Sequence, residues 1–371
     1  MKKKIHTFRH ETCHQYYGHF SQQQFKNNTL ILTLEGRGDD SSATISIAKN
    51  GKIFEKYRTN NAMIGRIYRY TTLLLGMKPG QHEYKVMGLA PYGQKFHGYK
   101  SLNHFRKFNK INGYKIFRTK KFKDCYYSSR ENLHGERFDG IAWGLQSYTE
   151  EFMFKWTINC INKFKISNVV YSGGVAQNIK ALKYLNDQKK IKSVWSGPIT
   201  GDGSLAIGAA WIASKKFNKK NKIQGLSNIY LGSTILKSEA VKAIKKKCKN
   251  FKIIKNVNNK QIAKWLSIGL IIGRCKGRME FGQRASGNRS ILADPRNQSS
   301  VDKINSKIKY RDFWMPFTPS MTYEGAKKIL KNPKKIYSPF MTMAFDLKEK
   351  FIEKIPGVIH PADKSTRPQM L

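Results

Sequence analysis

The stretch NVVYSGGVAQN, residues 168–178, runs from a short apolar segment through two glycines toward a helix. Residues 168–172 read as a buried strand, Gly173-Gly174 as a tight turn, and a helix is expected from about Ala176. The same succession returns immediately. SVWSG (193–197) is a second strand, GDG (201–203) a second glycine turn, and SLAIGAAWIASKK (204–216) a second helix. Strand, glycine turn and helix, repeated, predict an α/β layer.

Working outward, TLILTLE (29–35) and ATISIAKNGKIFEKY (43–57) read as strands, the latter folded as a hairpin at Asn50-Gly51. Residues 60–76 predict a helix. A longer one is expected from Gly140 to Phe164, where Ile141, Leu145, Tyr148, Phe152 and Trp156 recur at helical spacing and Asp139 is placed to cap it. The Lys/Asn-rich segment 215–228 reads as a linker. Beyond it come a helix (237–249), a strand (251–256), a helix (258–268), the strand GLIIGRC (269–275) and a later strand, YSPFMTMAFDL (337–347).

The 371 residues are enough for two domains, and 40% hydrophobic with 12% aromatic content implies packed cores rather than disorder. No apolar run reaches the roughly 18–20 residues of a membrane span. The basic start MKKKIHTFRH lacks the apolar segment of a signal peptide. Cys13, Cys125, Cys160, Cys248 and Cys275 are odd in number and far apart, which fits a reducing, cytoplasmic setting. Lysine and arginine number 69 against 24 acidic residues, a formal net charge of +45. Such a field attracts nucleic acid or acidic substrates. It is also what an AT-rich genome, favouring Lys, Asn and Ile, produces without selection for either. The lysines are scattered, with runs at 215–222 and 245–249, and form a solvated surface rather than one stripe, so a nucleic-acid partner is not favoured.

Several short segments carry chemistry. HETCH sets His10 and His14 four apart, on one face of a helix, able to share a metal; the bland alternative is a polar helix face. Further ligands would come from Glu35, at a strand end, and Asp202, at a strand-to-helix turn. The glycines of SGGVAQN and GDGSLAIGAA allow backbone N–H groups to approach a phosphate, and equally make simple tight turns. EYKVMGLAPYG (83–93) is either a helix stopping at Gly93 or a charged pair, Glu83 and Lys85, beside a site. GRMEFGQRASGNRSILADPRN (277–297) interleaves Arg278, Arg284, Arg289 and Arg296 with glycines, which suits either a basic patch or a pocket for phosphate-like anions.

HETCH, TLEGRGD, HEYKVMGLAPYG, SGGVAQN, GDGSLAIGAA, the Arg/Gly block, YRDFWMPFTPS and IHPADKSTRPQ follow in that order. Together they resemble the NodU/CmcH-type O-carbamoyltransferases over essentially the whole chain. The resemblance implies an α/β chain with an actin-like ATPase (ASKHA) type carbamoyl-transfer domain over 1–225 and a YrdC-like α/β domain over 226–371. It implies ATP, carbamoyl phosphate and a divalent metal, iron-type or magnesium. Carbamoyl adenylate would form in the second domain, and the first would pass the carbamoyl group to a hydroxyl of a small-molecule or saccharide acceptor. His10, His14 and Asp202 match metal positions, with Glu35 where the family usually has Asp. Gly173, Gly174 and Asn178 match a nucleotide loop. Arg278, Arg284, Asn288, Arg289 and Ser290 match the anion-binding block, and Lys309, Arg311, His360, Thr366 and Arg367 match later parts of that site. Family members also carry segments ahead of the paired histidines and beyond the RPQ region, so the resemblance leaves three readings open: a fragment, a split-gene product, or one half of a complex whose complementary chain supplies them.

Overall fold

The computed structural model describes residues 5–23, 28–119, 124–218, 220, 222–247, 252 and 254–371. Cys248 lies outside them. The chain packs as two units. The first comprises residues 1–227 with the later segments 332–338 and 342–345, and the second comprises 228–331, 339–341 and 346–371.

The first unit runs α1 (His10–Phe20), β1 (Thr29–Leu34), β2 (Ala43–Lys49), β3 (Lys52–Thr59), α2 (Ile64–Leu74), α3 (Glu83–Leu89), α4 (Lys95–Arg106), β4 (Asn109–Asn112), β5 (Lys115–Arg118), α5 (Cys125–Asn132), α6 (Phe138–Phe164), β6 (Asn168–Ser172), α7 (Ile179–Asp187), β7 (Ser193–Ser196) and α8 (Leu205–Phe217). Its main sheet has the order β3-β2-β1-β6-β7. β1 is antiparallel to β2 but parallel to β6, and β6 is parallel to β7. Every residue of β1 is buried, the pattern of a strand covered on both faces. The β2–β3 turn falls at Asn50-Gly51, both at positive φ, as the hairpin reading requires. Ile31, Ala48 and Val170 form one core cluster, against which Ile53 and Trp195 pack. Trp156 and Tyr171 are fully buried, and each such side chain stabilises the unit by about 1.5–3 kcal/mol. From the later segment, Lys334 Nζ donates to the carbonyls of Asn186, Gln188 and Ile191, pinning the end of α7.

Register places the functional turns. Leu30 to Thr33 of β1 pair with Val169 to Ser172 of β6, so Glu35 and Gly173 emerge side by side. β7 ends level with them and leads to the turn before α8. These are the carboxyl ends of parallel strands, where open α/β sheets present ligands.

The second unit runs α9 (Lys237–Lys247), α10 (Asn259–Ser267), β8 (Ile272–Cys275), β9 (Arg289–Leu292), α11 (Gln298–Ile304), β10 (Ser320–Met321), α12 (Tyr323–Ile329), β11 (Leu330–Lys331), β12 (Phe345–Leu347), β13 (Ser365–Thr366) and β14 (Gln369–Met370). β8 and β9 are antiparallel, β10 pairs in parallel with β14, and β11, β12 and β13 form a small sheet. Ile304, Ala326, Leu330, Leu347, Val358 and Met370 are buried within it.

Three sequence expectations need correction. The 337–347 segment is strand only at Phe345–Leu347, because Met341 takes a left-handed φ of 58° that no strand continues through. The helix after SGG begins at Ile179, not Ala176; a single tight turn, Gly174–Gln177, precedes it, and Asn178 caps the helix by accepting from the Ala181 N–H. Asp139 sits inside the first turn of α6, paired with Arg137, rather than at its cap. The expected 251–256 strand is partly outside the described residues, and its described residues are not strand.

Candidate metal centre and anion cradle

The first unit gathers four ligand-type side chains. Helix α1 begins at His10, whose backbone N–H donates to Asp39 Oδ2 at 2.9 Å, so the EGRGDD loop supplies the cap that Arg9 does not. Four residues on, His14 points the same way, and the two Nε2 atoms lie 3.1 Å apart. Glu35 Oε1 is 2.7 Å from His14 Nε2 and 3.9 Å from His10 Nε2. Asp202 Oδ1 reaches to 3.6 Å of His10 and 3.8 Å of His14. All four donors lie within 4.8 Å of one another. His14 is fully buried, whereas the Asp202 side chain is 74% exposed, so the cluster opens to solvent on that side.

The glycine turns hold this cluster. Gly173 has φ 93°, and a Cβ there would sit 2.4 Å from the Leu34 carbonyl and 2.5 Å from Glu35 Oε1. The Gly174 N–H donates to the Glu35 carboxylate, and the Gly173 N–H donates to the Thr200 carbonyl at 2.8 Å. Helix α8 approaches α1 closely: a Cβ on Gly208 would fall 2.2 Å from the Cys13 carbonyl. Asn178 is engaged at both ends of its amide, exchanging hydrogen bonds with Gln146 while capping α7.

Electrostatics follow from the geometry. Burial alone would lower the His14 pKa, but the neighbouring carboxylates of Asp202 and Glu35 outweigh it and hold the imidazole up at about 9. His10 is also raised, first by its interaction with Glu35. Burial works to raise Glu35, yet the two imidazoles and the Gly174 N–H keep it below the usual carboxylate value. Its Oε1 is close to His14 but lacks an aligned hydrogen bond, a buried oxygen short of a partner. Two imidazole nitrogens with two carboxylate oxygens, one of them so placed, fit a divalent cation.

In the second unit the Arg/Gly block divides into two sets. Arg278 donates to the Gly232 and Leu231 carbonyls, and Arg289 to those of Lys276, Gly277 and Asn288. Glu280 Oε1 accepts from the N–H groups of Ser286, Asn288 and Arg289, Asn288 Nδ2 donates to the Arg278 carbonyl, and Ser290 Oγ accepts from Gly287. Arg296 pairs with Asp294. These groups brace the loop. Arg284 and Arg311 instead bear on Arg367, which is held well below the usual guanidinium value, by burial first and then by those two cations. Its Nε is buried without a hydrogen-bond partner, while its NH2 donates to Thr318. Lys309 is exposed at the end of a wide helical turn, Asn305–Lys309, and Arg311 lies over the Phe317 ring, lining a cavity of about 300 Å³ with Phe313 and Met315. His360 is buried, and Thr366 Oγ1 donates to the Val358 carbonyl.

Residues 1–211 match the family model described as carbamoyltransferase N-terminus, and residues 263–371 match carbamoyltransferase C-terminus. The chain belongs to the carbamoyltransferase family. Among relatives of this carbamoyltransferase, an uncharacterized protein of Methanocaldococcus jannaschii is 34% identical, covering 100% of this chain and 72% of its own length. The nodulation protein NolNO of Sinorhizobium fredii is 28% identical over 92% of the chain and 51% of itself. NolO of Bradyrhizobium diazoefficiens is 26% identical over 89% and 61%. The chain thus spans between about half and three quarters of the length of these relatives. Among the described residues of this family member, no helix is long and apolar enough to cross a membrane.

Sequence reasoning missed two supports of the metal cluster: Asp39, which caps α1, and Ser204, whose Oγ lies 3.2 Å from His14 Nδ1. Both sit inside segments already conspicuous, EGRGDD and GDGS. Only the fold brings them against the histidines.

Proposed function

We propose that this carbamoyltransferase is ATP-dependent: the second unit forms carbamoyl adenylate from ATP and carbamoyl phosphate, and the first passes the carbamoyl group to a hydroxyl of a small-molecule or saccharide acceptor. The observation that carries the reading is the convergence of His10, His14, Glu35 and Asp202 to within 4.8 Å, in the part of the chain that matches the carbamoyltransferase N-terminus. The β3-β2-β1-β6-β7 order supports an actin-like layer for that part. A donor set with two imidazoles favours an iron-type ion over magnesium, which prefers oxygen alone. When bound, such an ion supplies Lewis acidity toward the carbamoyl carbonyl or holds the adenylate phosphate.

The chain's own residues divide the work. His10, His14 and Glu35 form the buried side of the cluster, and Asp202 its solvent side, from which an acceptor hydroxyl would arrive. Gly173 and Gly174 fix the Glu35 carboxylate by close approach and one N–H bond. In the second unit, Arg284, Arg311 and Arg367 offer guanidinium forks to the phosphates of two anionic substrates. Bound phosphates would offset the repulsion that Arg284 and Arg311 exert on Arg367, and the same guanidinium groups stay available to charge developing in the transition state. Arg278 and Arg289 keep the loop shaped for that role, and the ring of Phe317 steadies Arg311.

The test is to incubate the protein with ATP, carbamoyl phosphate and a divalent metal and to follow AMP and pyrophosphate. Release that requires carbamoyl phosphate, and that falls about 10²–10³-fold in Arg284→Ala and Arg367→Ala, is the expected result. Absence of release in the wild type, or release indifferent to both substitutions, overturns the reading.

A further inference from the structure

Ser204 is fully buried and touches His14 on the side away from the carboxylates. Its hydroxyl makes two contacts: Oγ lies 2.9 Å from the Gly201 carbonyl and 3.2 Å from His14 Nδ1. A carbonyl only accepts, so the single hydroxyl proton goes to Gly201. That leaves the Ser204 oxygen lone pairs to accept, and the His14 Nδ1–H to donate.

We propose that Ser204 is a positioning residue that fixes the His14 ring with its proton on Nδ1 and its Nε2 lone pair turned toward Glu35, Asp202 and His10. The inference rests on the metal reading above. A histidine that gives Nε2 to a cation must carry its proton on Nδ1, and in a fully buried ring that N–H requires an acceptor. Ser204 is the acceptor the fold provides. The backbone explains why it arrives there. Ser204 closes the tight turn after Asp202, with its own N–H on the same Gly201 carbonyl at 2.9 Å, immediately before α8. The close approach of α8 to α1 at Gly208 and Cys13, the residue preceding His14, sets the distance. One four-residue turn, GDGS, thus supplies both a carboxylate on one side of the cluster and the acceptor on the other.

Cobalt(II) titration of the metal-free protein, followed by visible absorption and calorimetry, tests this without relying on turnover. Ser204→Ala is expected to weaken cobalt binding 10–100-fold. Thr200→Val, a buried hydroxyl of the preceding loop that does not touch His14, is expected to leave it unchanged. Equal affinity in wild type and a folded Ser204→Ala overturns the role of Ser204 while leaving the metal reading standing. A wild type that binds no cobalt overturns the metal reading, and this inference with it. Nitrogen-15 spectra of the zinc-loaded wild type decide the point even where the alanine variant does not fold: His14 protonated on Nδ1 supports the proposal, and His14 protonated on Nε2 overturns it.

Discussion

Replacing Gly173 by alanine strikes the fold and the metal cluster together. At φ 93° and ψ 167° the residue occupies a region essentially reserved for glycine, and a side chain held there costs about 1–3 kcal/mol. The new methyl also lands 2.4 Å from the Leu34 carbonyl, when real Cβ contacts under 3.0 Å essentially do not occur. Leu34 cannot yield easily, since it ends β1, which is bonded to β2 on one side and β6 on the other. The second obstacle, Glu35 Oε1 at 2.5 Å, can yield only by swinging away from His14. Overpacking of this kind costs a further 1–3 kcal/mol or so. The total, about 2–6 kcal/mol, is a large share of the roughly 5–15 kcal/mol that stabilises ordinary domains.

Urea unfolding of the metal-free Gly173→Ala protein should therefore show a midpoint well below wild type, and metal titration should show weaker binding as Glu35 is displaced. Gly174→Ala is the control. Its φ is ordinary, and its Cβ would meet only Glu35 Oε2, at 3.3 Å, so a loss under about 1 kcal/mol is expected. A Gly173→Ala protein within 1 kcal/mol of wild type, with unchanged metal affinity, would refute the account of the turn as a brace for Glu35.

Two further outcomes follow from buried charge. Arg58→Ala leaves Glu11, which is fully buried and 3.1 Å from the guanidinium, without its cation, and should cost about 3–5 kcal/mol in urea melts; the double variant with Glu11→Gln should recover part of that loss. His19 and His104 are buried and lowered to about 4, by burial first and by Lys215 and Lys107 second. The unfolded chain binds protons to both between pH 6.5 and 4 while the native chain does not, so stability should be full above about 6.5 and fall across that window by up to about 3 kcal/mol for each ring. A flat urea midpoint from pH 7 to 4.5 would contradict this.

What was legible in the sequence was local. Continuous apolar runs gave β1 and β6, Asn50-Gly51 gave the hairpin, and a histidine pair at helical spacing fell on α1 as expected. What was not legible depends on approach between distant segments. The turn at Met341 interrupts an apolar run whose composition is that of a strand. The parallel pairing of Ser320-Met321 with Gln369-Met370 joins segments far apart in the chain and leaves no local trace. Likewise nothing in GDGS distinguishes Asp202, aimed at the histidines' Nε2 atoms, from Ser204, set behind His14 at Nδ1.

The arginine block shows most sharply how residue type underdetermines role. Arg278 and Arg289 read as anion ligands, yet their guanidinium groups spend several donors on backbone carbonyls of their own loop, and Arg296 on Asp294. The electrostatic imbalance sits elsewhere, where Arg367 is buried beside Arg284 and Arg311 with a partnerless Nε. The first unit differs: two carboxylates, Glu35 and Asp202, converge on the paired histidines, and they hold His14 up at about 9. The second unit therefore concentrates positive charge, and the first holds the Glu35 carboxylate, where packing alone would exclude it. Such departures from local consistency weaken a fold unless a ligand of opposite sign offsets them, which is why they mark functional sites. On the proposed function, a cation in the first unit and phosphate-bearing anions in the second would offset them.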